Sequence, residues 1–425
     1  MLIQELYAVY TKYPSVQTDT RKLQQGDLFF ALKGPNFNGN LFAQQALNAG
    51  AAYVVVDEET GFSDERLIKT PDVLQTLQQL AKYHRQQFTI PFLAITGSNG
   101  KTTTKELIHE VLSTTFKTYT TKGNLNNHIG VPLTILSVKK DAEIAVIEMG
   151  ANHQKEIESY CSYTLPTHVI ITNCGKAHLE GFGGIEGVRK GKGELFDFIK
   201  TNNGTAFIMN DYDYLIEMSK GIAHIKTYGT ANADITGVAG NNNEVLEVIL
   251  TKGTTIGSIK TNLVGDYNLP NVLAAVAVGK YFTVPDEKIK MALENYIPSN
   301  SRSQLIHKGS NKIILDAYNA NPTSMKAAIE NLAKSKGDNK ILLLGGMMEM
   351  GHESIAEHAA IVDIIAAYNW KAVVLVGGDF NKIKHPHLYF NTATEASKWL
   401  QQQHFENSTI LVKGSRSMQM EKVLE

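Results

Sequence analysis

Short apolar runs separated by polar turns recur along the chain, and their lengths set the expected elements. In LAITGSNGKTTT (93–104), residues 93–96 predict a buried strand. Gly97, Ser98, Asn99 and Gly100 predict a tight loop, and Lys101 with the threonines after it opens a helix. Leu107, Ile108, Val111 and Leu112 fall on one face of that helix. AEIAVIE (142–148) and THVIITN (167–173) read as buried parallel strands that end in polar turns. Upstream, DLFFAL, a helix over 44–48 and AAYVVVD alternate strand with helix. A more β-rich stretch follows at 204–264, with TAFIMN, EVLEVIL and TTIGSIK. From Ser301, the strands KIILDA, KILLLGG, AVVLVGG and TILVKG alternate with helical patterns at 324–334, 354–367, 393–402 and 416–424. That is the rhythm of a doubly wound parallel sheet.

The expected fold is therefore α/β in three domains. A small α/β N-terminal domain spans 1–88, a central phosphate-loop domain on a parallel sheet spans 89–300, and a Rossmann-like doubly wound domain spans 301–425. A length of 425 residues fits two to four domains.

The strand, glycine loop and helix start at 93–104 make an anion site. Exposed backbone N–H groups and the helix dipole favour a phosphate. Lys101 adds a full charge, and Thr102, beside Thr103, offers a hydroxyl to Mg²⁺. ATP or GTP is the expected ligand. The first glycine lies three residues before Gly100, closer than in the usual phosphate loop.

Charge and composition exclude other classes. The formal net charge is −1, which argues against a nucleic-acid partner or an anionic membrane surface. No apolar run approaches the ~18 residues that cross a bilayer, so membrane insertion is not expected. The start MLIQELYAVYTKY lacks the pattern of a secretory leader. Cys161 and Cys174 show no metal spacing and read as packed, reduced thiols. A cytoplasmic location is expected.

In open parallel sheets ligands sit at the carboxyl ends of strands. Glu148 ends one middle strand, and Asn173 and His178 follow another. Glu148 and His178 could join Thr102 around Mg²⁺. Alternatively, Glu148 pairs with a lysine and His178 bonds backbone. Lys192 taken alone is a helix lysine on a solvated face, and Asn268 and Asn271 are helix caps.

TGSNGKTTT, NCGKAHLEGFGG (173–184), RKGKGELF (189–196) and VGDYNLPN (264–271) together resemble the Mur ligase family of ATP-dependent amide ligases. DAYNANPTSM (316–325), KGSRSMQMEKV (413–423) and TKGNLNNHIGVPLTIL (121–136) resemble its D-alanyl-D-alanine-adding branch, and no DNPR-type segment is present. The resemblance implies ATP, two Mg²⁺ ions held by Thr102, Glu148, His178 and Lys192, and Lys192 carbamylated by CO₂, with Lys190 as a rival for that register. It implies that Lys101, Lys192 and His178 are catalytic. It places Asn268 and Asn271 on the adenine side, Arg302 at the phosphates and Asp316 at the ribose.

Substrate contacts implied in the same way are Thr18 and Asp19 for the UDP end, with Asn124, Asn126, Asn127, Asn319, Asn321, Lys413 and Ser415. The implied partners are UDP-muramyl-tripeptide and D-Ala-D-Ala, acting on a monomer. Two departures stand out. Asn38 and Asn40 occupy positions where the family commonly has Asp and His, and Gly346 replaces a common Asp, with Glu349 retained. A folylpolyglutamate-type ligase and a phosphate-loop NTPase switch are the alternative readings.

Overall fold

The structure, a computed structural model, describes residues 2–241, 244–299 and 301–425. Three main sheets follow one another along the chain. The first contains β1 (Val16–Gln17), β2 (Leu28–Phe30), β5 (Tyr53–Val56) and β6 (Leu67–Lys69), all parallel. A separate two-stranded hairpin, β3 (Lys33–Gly34) and β4 (Phe37–Asn38), follows β2. Here Asn38 and Asn40 bond Glu58 and Asp57 through their amides, at 2.6 and 2.8 Å.

The middle sheet has nine strands. They are β7 (Phe92–Thr96), β8 (Thr118–Thr120), β9 (Ile144–Glu148), β10 (His168–Ile171), β11 (Thr205–Met209), β12 (His224–Gly229), β13 (Ile235–Ala239), β14 (Glu247–Lys252) and β15 (Ser258–Lys260). Their spatial order is β15-β14-β13-β12-β11-β10-β7-β9-β8, parallel from β8 to β13 and antiparallel beyond. The run Phe92–Thr96 is wholly buried, as a central strand with both faces covered must be. It lies between β9 and β10, so the turn after it emerges between the ends of those two strands.

The third sheet holds β16 (Gln304–Lys308), β17 (Asn311–Asp316), β18 (Lys340–Gly345), β19 (Ala372–Val376), β20 (Leu388–Phe390) and β21 (Thr409–Lys413). The order is β16-β17-β21-β18-β19-β20, parallel apart from β16. The expected helices at 324–334, 354–367 and 393–402 appear as Pro322–Lys334, Ser354–Ala366 and Ala393–Gln402. The stretch 416–424 is not one α-helix. It forms two 3₁₀ turns, Arg416–Met418 and Met420–Leu424, because Gln419 between them is left-handed at φ +49°.

A polar seam welds the first sheet's layer to the middle unit. On the helix Val73–Arg85, His84 Nε2 meets Val138 O at 2.7 Å, and Arg85 donates to the carbonyls of Thr164, Leu165 and Phe88. The Arg85 guanidinium also lies 3.9 Å from the centre of the Phe92 ring. Among the described residues no helix is long and apolar enough to cross a membrane. Both cysteines are free and buried.

Candidate active site

The phosphate loop is held by the strand beside it. Ser98 N donates to Asn173 O at 2.9 Å, and Asn99 N donates to Asn173 Oδ1 at 3.0 Å. Thr172 Oγ1 donates to Asn99 O at 2.6 Å. A Cβ on Gly97, at φ +144°, would lie 2.0 Å from Thr172 Oγ1, so only glycine allows that bond. Gly100, at φ +81°, starts the helix Lys101–Ser113, and a Cβ there would lie 2.6 Å from Asn271 Oδ1. Lys101 Nζ donates to Gly97 O at 2.6 Å, across the concavity where an anion would sit. Burial lowers its pKa to about 8.

Thr102 and Glu148 come together as the sequence predicts. Thr102 Oγ1 donates to Glu148 Oε1 at 3.1 Å, and Asn126 Nδ2 donates to the same oxygen at 2.7 Å. Among the described residues Glu148 forms no salt bridge with a lysine. Its Oε2 is buried without a hydrogen-bond partner among the described residues. A buried orphan carboxylate oxygen beside a threonine hydroxyl fits a hard cation. Among the described residues no three His, Cys, Asp or Glu side chains gather into a metal site, so Thr102 and Glu148 alone would leave coordination positions open to other ligands, water and phosphate oxygens among them.

Lys192 is not on a solvated face. It is 1% exposed on the helix Ile185–Thr201, whereas Lys190 is exposed. Its Nζ donates to Ala151 O at 3.0 Å and sits 5.0 Å from the Phe182 ring centre. Burial, with repulsion from Lys101 adding to it, lowers its pKa to about 7. The residue sits behind Ala151 and is not itself part of the cleft wall.

Helix capping is not what Asn268 and Asn271 do. Neither side chain caps the helix Leu269–Tyr281. Asn271 Nδ2 donates to Asn268 Oδ1 at 2.9 Å, and Thr104 Oγ1 donates to Asn271 Oδ1 at 3.0 Å, which ties this helix to the phosphate-loop helix.

The third unit closes over these residues. Arg302 stacks its guanidinium 3.6 Å from the Tyr318 ring centre. Asp316 accepts from Lys413 Nζ at 2.5 Å and from Ser303 N at 3.2 Å. Asn321 Nδ2 donates to Asn99 Oδ1 at 2.7 Å, while its Oδ1 caps Ser324 N at 3.0 Å. His178 bonds the Glu349 side chain rather than backbone, and Lys176 pairs with Glu357.

Between the middle and third units lies a cleft of about 970 Å³. Its wall includes Ser98 to Thr103, Asn124, Asn126, Asn127, Glu148, His178, Asn268, Asn271, Arg302, Asp316, Asn319, Asn321 and Lys413. Ser415 sits one layer back, where its Oγ donates to Ala320 O at 3.2 Å. Thr18 and Asp19 do not reach this cleft; Asp19 forms a fork with Arg21 at 2.8 Å on the first sheet.

The description "Mur ligase family, catalytic domain" fits residues 12–85, "Mur ligase middle domain" fits 95–279, and "Mur ligase, glutamate ligase domain" fits 301–416. The UDP-N-acetylmuramoyl-tripeptide--D-alanyl-D-alanine ligase of Escherichia coli (strain K12) is 36% identical over 436 residues, covering 99% of this chain and 95% of that one. The chain belongs to the Mur ligase family, on the MurF branch. MurF from Acinetobacter baumannii superimposes with a TM-score of 0.86 at 32% identity, over 96% of this chain and 92% of that one. The MurF ligase of Thermotoga maritima, solved in complex with ADP, gives a TM-score of 0.86 at 26% identity, over 96% of each chain.

Several cleft residues of this Mur ligase escaped the sequence reading. Asp211, Tyr212 and Tyr214 follow β11, and the two tyrosine rings stack 5.6 Å apart. The position of Asp211 after a strand end was the available signal. Glu349 carried no signal of contact with His178, because the two lie in different units.

Proposed function

We propose that this chain joins D-alanyl-D-alanine to the peptide carboxylate of a UDP-N-acetylmuramoyl-tripeptide, with ATP as the energy source. The observation that carries the reading is one cleft in which the phosphate loop and Glu148 face the segment 316–324. Support comes from the names of the full-length relatives and from the ADP bound by a relative of the same fold.

In this reading the substrate carboxylate attacks the γ-phosphate, ADP leaves, and an acyl phosphate forms. The amine then attacks the acyl carbon, and inorganic phosphate leaves. Lys101 and the N-terminus of its helix lie where charge accumulates on the transferring phosphoryl group. Thr102 and Glu148 would hold Mg²⁺, with His178 completing the set; the ion supplies neutralisation of phosphate charge. Lys192 is a neutral amine for much of the time near pH 7, so CO₂ can add to it with loss of one proton. The resulting carbamate would be an anionic oxygen ligand for a second Mg²⁺. The attacking amine must also lose a proton, and the carbamate is the candidate base wherever His178 holds the cation. Arg302 and Asp316 reach the nucleotide from the third unit, and Asn268 and Asn271 serve its base. Thr18 and Asp19 serve the UDP end, on the first sheet. A cytoplasmic monomer completes this reading.

The test is phosphate release from purified protein with ATP, UDP-muramyl-tripeptide and D-Ala-D-Ala. Release should stop when either substrate is omitted. Equal release with free diaminopimelate or lysine as the amine would overturn the assignment.

A further inference from the structure

The loop 346–351 crosses from the third unit to the middle one and carries Glu349 to His178 Nδ1. Its backbone docks too, since Glu180 N donates to Glu349 O at 3.3 Å. From its own side the loop is fixed by several bonds, two of them close to Glu349. Met347 N donates to the buried His358 Nε2 at 3.0 Å, and Met348 N donates to Ser415 Oγ at 2.9 Å. Glu349, at φ +62°, and His178, at φ +52°, are both left-handed non-glycine residues, and they face each other across the border. Such conformations are held in place only by surrounding structure, and they cluster where a side chain must be aimed.

A histidine whose Nδ1–H is held by a carboxylate keeps its lone pair on Nε2. His178 lines the cleft, so Nε2 is the ring nitrogen left for a cation there. Metal-binding histidines commonly have such a carboxylate partner, and losing it typically weakens metal affinity 10–100-fold. In this chain the carboxylate comes from a different unit than the histidine.

We propose that Glu349 is a positioning residue for His178. By engaging Nδ1 it sets the tautomer that presents Nε2, so docking of the third unit and cation binding at His178 strengthen each other. Linkage makes that coupling reciprocal: the cation must favour the docked arrangement by the same factor that docking favours the cation. The inference rests on the reading of His178 as a metal residue. Lys176–Glu357 and Asn99–Asn321 dock the same two units elsewhere, so changing Glu349 leaves other contacts in place.

The experiment titrates Mn²⁺ into the ADP-loaded full-length protein, with free ion read by electron paramagnetic resonance. Glu349→Ala should weaken Mn²⁺ binding by roughly 10-fold. Glu349→Gln, which keeps an acceptor without the charge, should fall between wild type and Glu349→Ala. Glu357→Gln, which loosens docking without touching His178, should weaken Mn²⁺ binding less than Glu349→Ala does. In scattering measurements, Mn²⁺ should reduce the radius of gyration of wild type more than that of Glu349→Ala. If His178→Ala weakens binding and neither Glu349 variant does, the positioning role is wrong and the metal reading stands. If Glu357→Gln weakens binding as much as Glu349→Ala, the effect is docking alone, and the proposal is overturned. If His178→Ala changes nothing, the metal reading of His178 fails and the proposal falls with it. Should Glu349→Ala fail to fold, Glu349→Gln decides.

Discussion

Lys413 and Asp316 end adjacent parallel strands in register, and the Lys413 ammonium lies 2.5 Å from Asp316 Oδ2. Lys413 is 2% exposed, so the pair is shielded from water at one end. Removing one partner of a buried ion pair leaves the other uncompensated, which costs about 3–5 kcal/mol when burial is complete. Asp316 retains some exposure, so Lys413→Met should destabilise the third unit by roughly 2–4 kcal/mol. Both tryptophans, Trp370 and Trp399, lie in this unit, so fluorescence during urea unfolding reports on it selectively. A midpoint equal to wild type would show that Asp316 is solvated without its partner.

Lys101 is expected to matter to chemistry and little to folding. Among the described residues its Nζ bonds only carbonyls of its own loop, at 2.6 and 3.2 Å. Lys101→Ala should cut ATP-dependent phosphate release by about 10²–10³-fold or more, the usual cost of losing one stabilising group at the transferring charge. The thermal midpoint should stay within a few degrees of wild type. Near-normal turnover would remove Lys101 from the phosphate site.

Lys192 gives a pH signature as well as a chemical one. Its pKa is about 7 in the folded protein and near 10.5 when unfolded. Between those values the unfolded chain holds a proton that the folded chain does not, so stability rises with pH across the window. The gain is complete above about 10.5, is lost as pH falls, and is gone below about 7. In CO₂-free buffer, Lys192→Met should flatten the slope between pH 8 and 10 by up to ~1.4 kcal/mol per pH unit. With ¹³C-bicarbonate, wild type should show a carbamate resonance that Lys192→Met lacks. Lys192→Ala should be nearly inactive and partly rescued by acetate or formate, and Lys192→Arg should not be rescued.

His168 governs the acid side. It packs among Phe207, Tyr281 and Phe282, and burial lowers its pKa to about 4. The unfolded chain takes up a proton near pH 6.5, which the folded chain refuses until about 4. Stability should therefore fall as pH drops from 6.5 to 4. His168→Phe should be less sensitive across that range in urea titrations. Parallel curves for the two proteins would mean that the ring is protonated in place.

Asn321 performs two tasks that one substitution separates. Asp at this position still caps Ser324 N but no longer donates to Asn99. Asn321→Asp should keep stability within about 0.5 kcal/mol while raising KM for ATP several-fold. An unchanged KM would leave the amide pair without a role in nucleotide binding.

Local signals were legible in the sequence, and tertiary ones less so. The phosphate loop was readable because strand, loop and helix lie within twelve contiguous residues. Four of the third unit's strands were readable because each is a short apolar run bounded by glycine or polar residues, whereas Gln304–Lys308 and Leu388–Phe390, short or only partly buried, were missed. The strands His224–Gly229 and Ile235–Ala239 were missed; the first is mostly exposed and polar, so no apolar period marks it. The fate of 416–424 turned on one left-handed residue, Gln419, for which side-chain pattern gives no cue. The burial of Lys192 and the pairing of Asn268 with Asn271 depend on which helices pack together, which periodicity does not specify.

The placement of β7 also bears on how the chain is made. A growing chain releases Phe92–Thr96 early, yet its neighbours are Ile144–Glu148 and His168–Ile171. Until residue 171 has left the ribosome, the strand that carries the phosphate loop is an apolar ribbon with at least one edge open. At about 5–20 residues per second, that interval lasts several seconds. During it the segment most essential to nucleotide binding is also a ready partner for aggregation, and a holding chaperone would act there first.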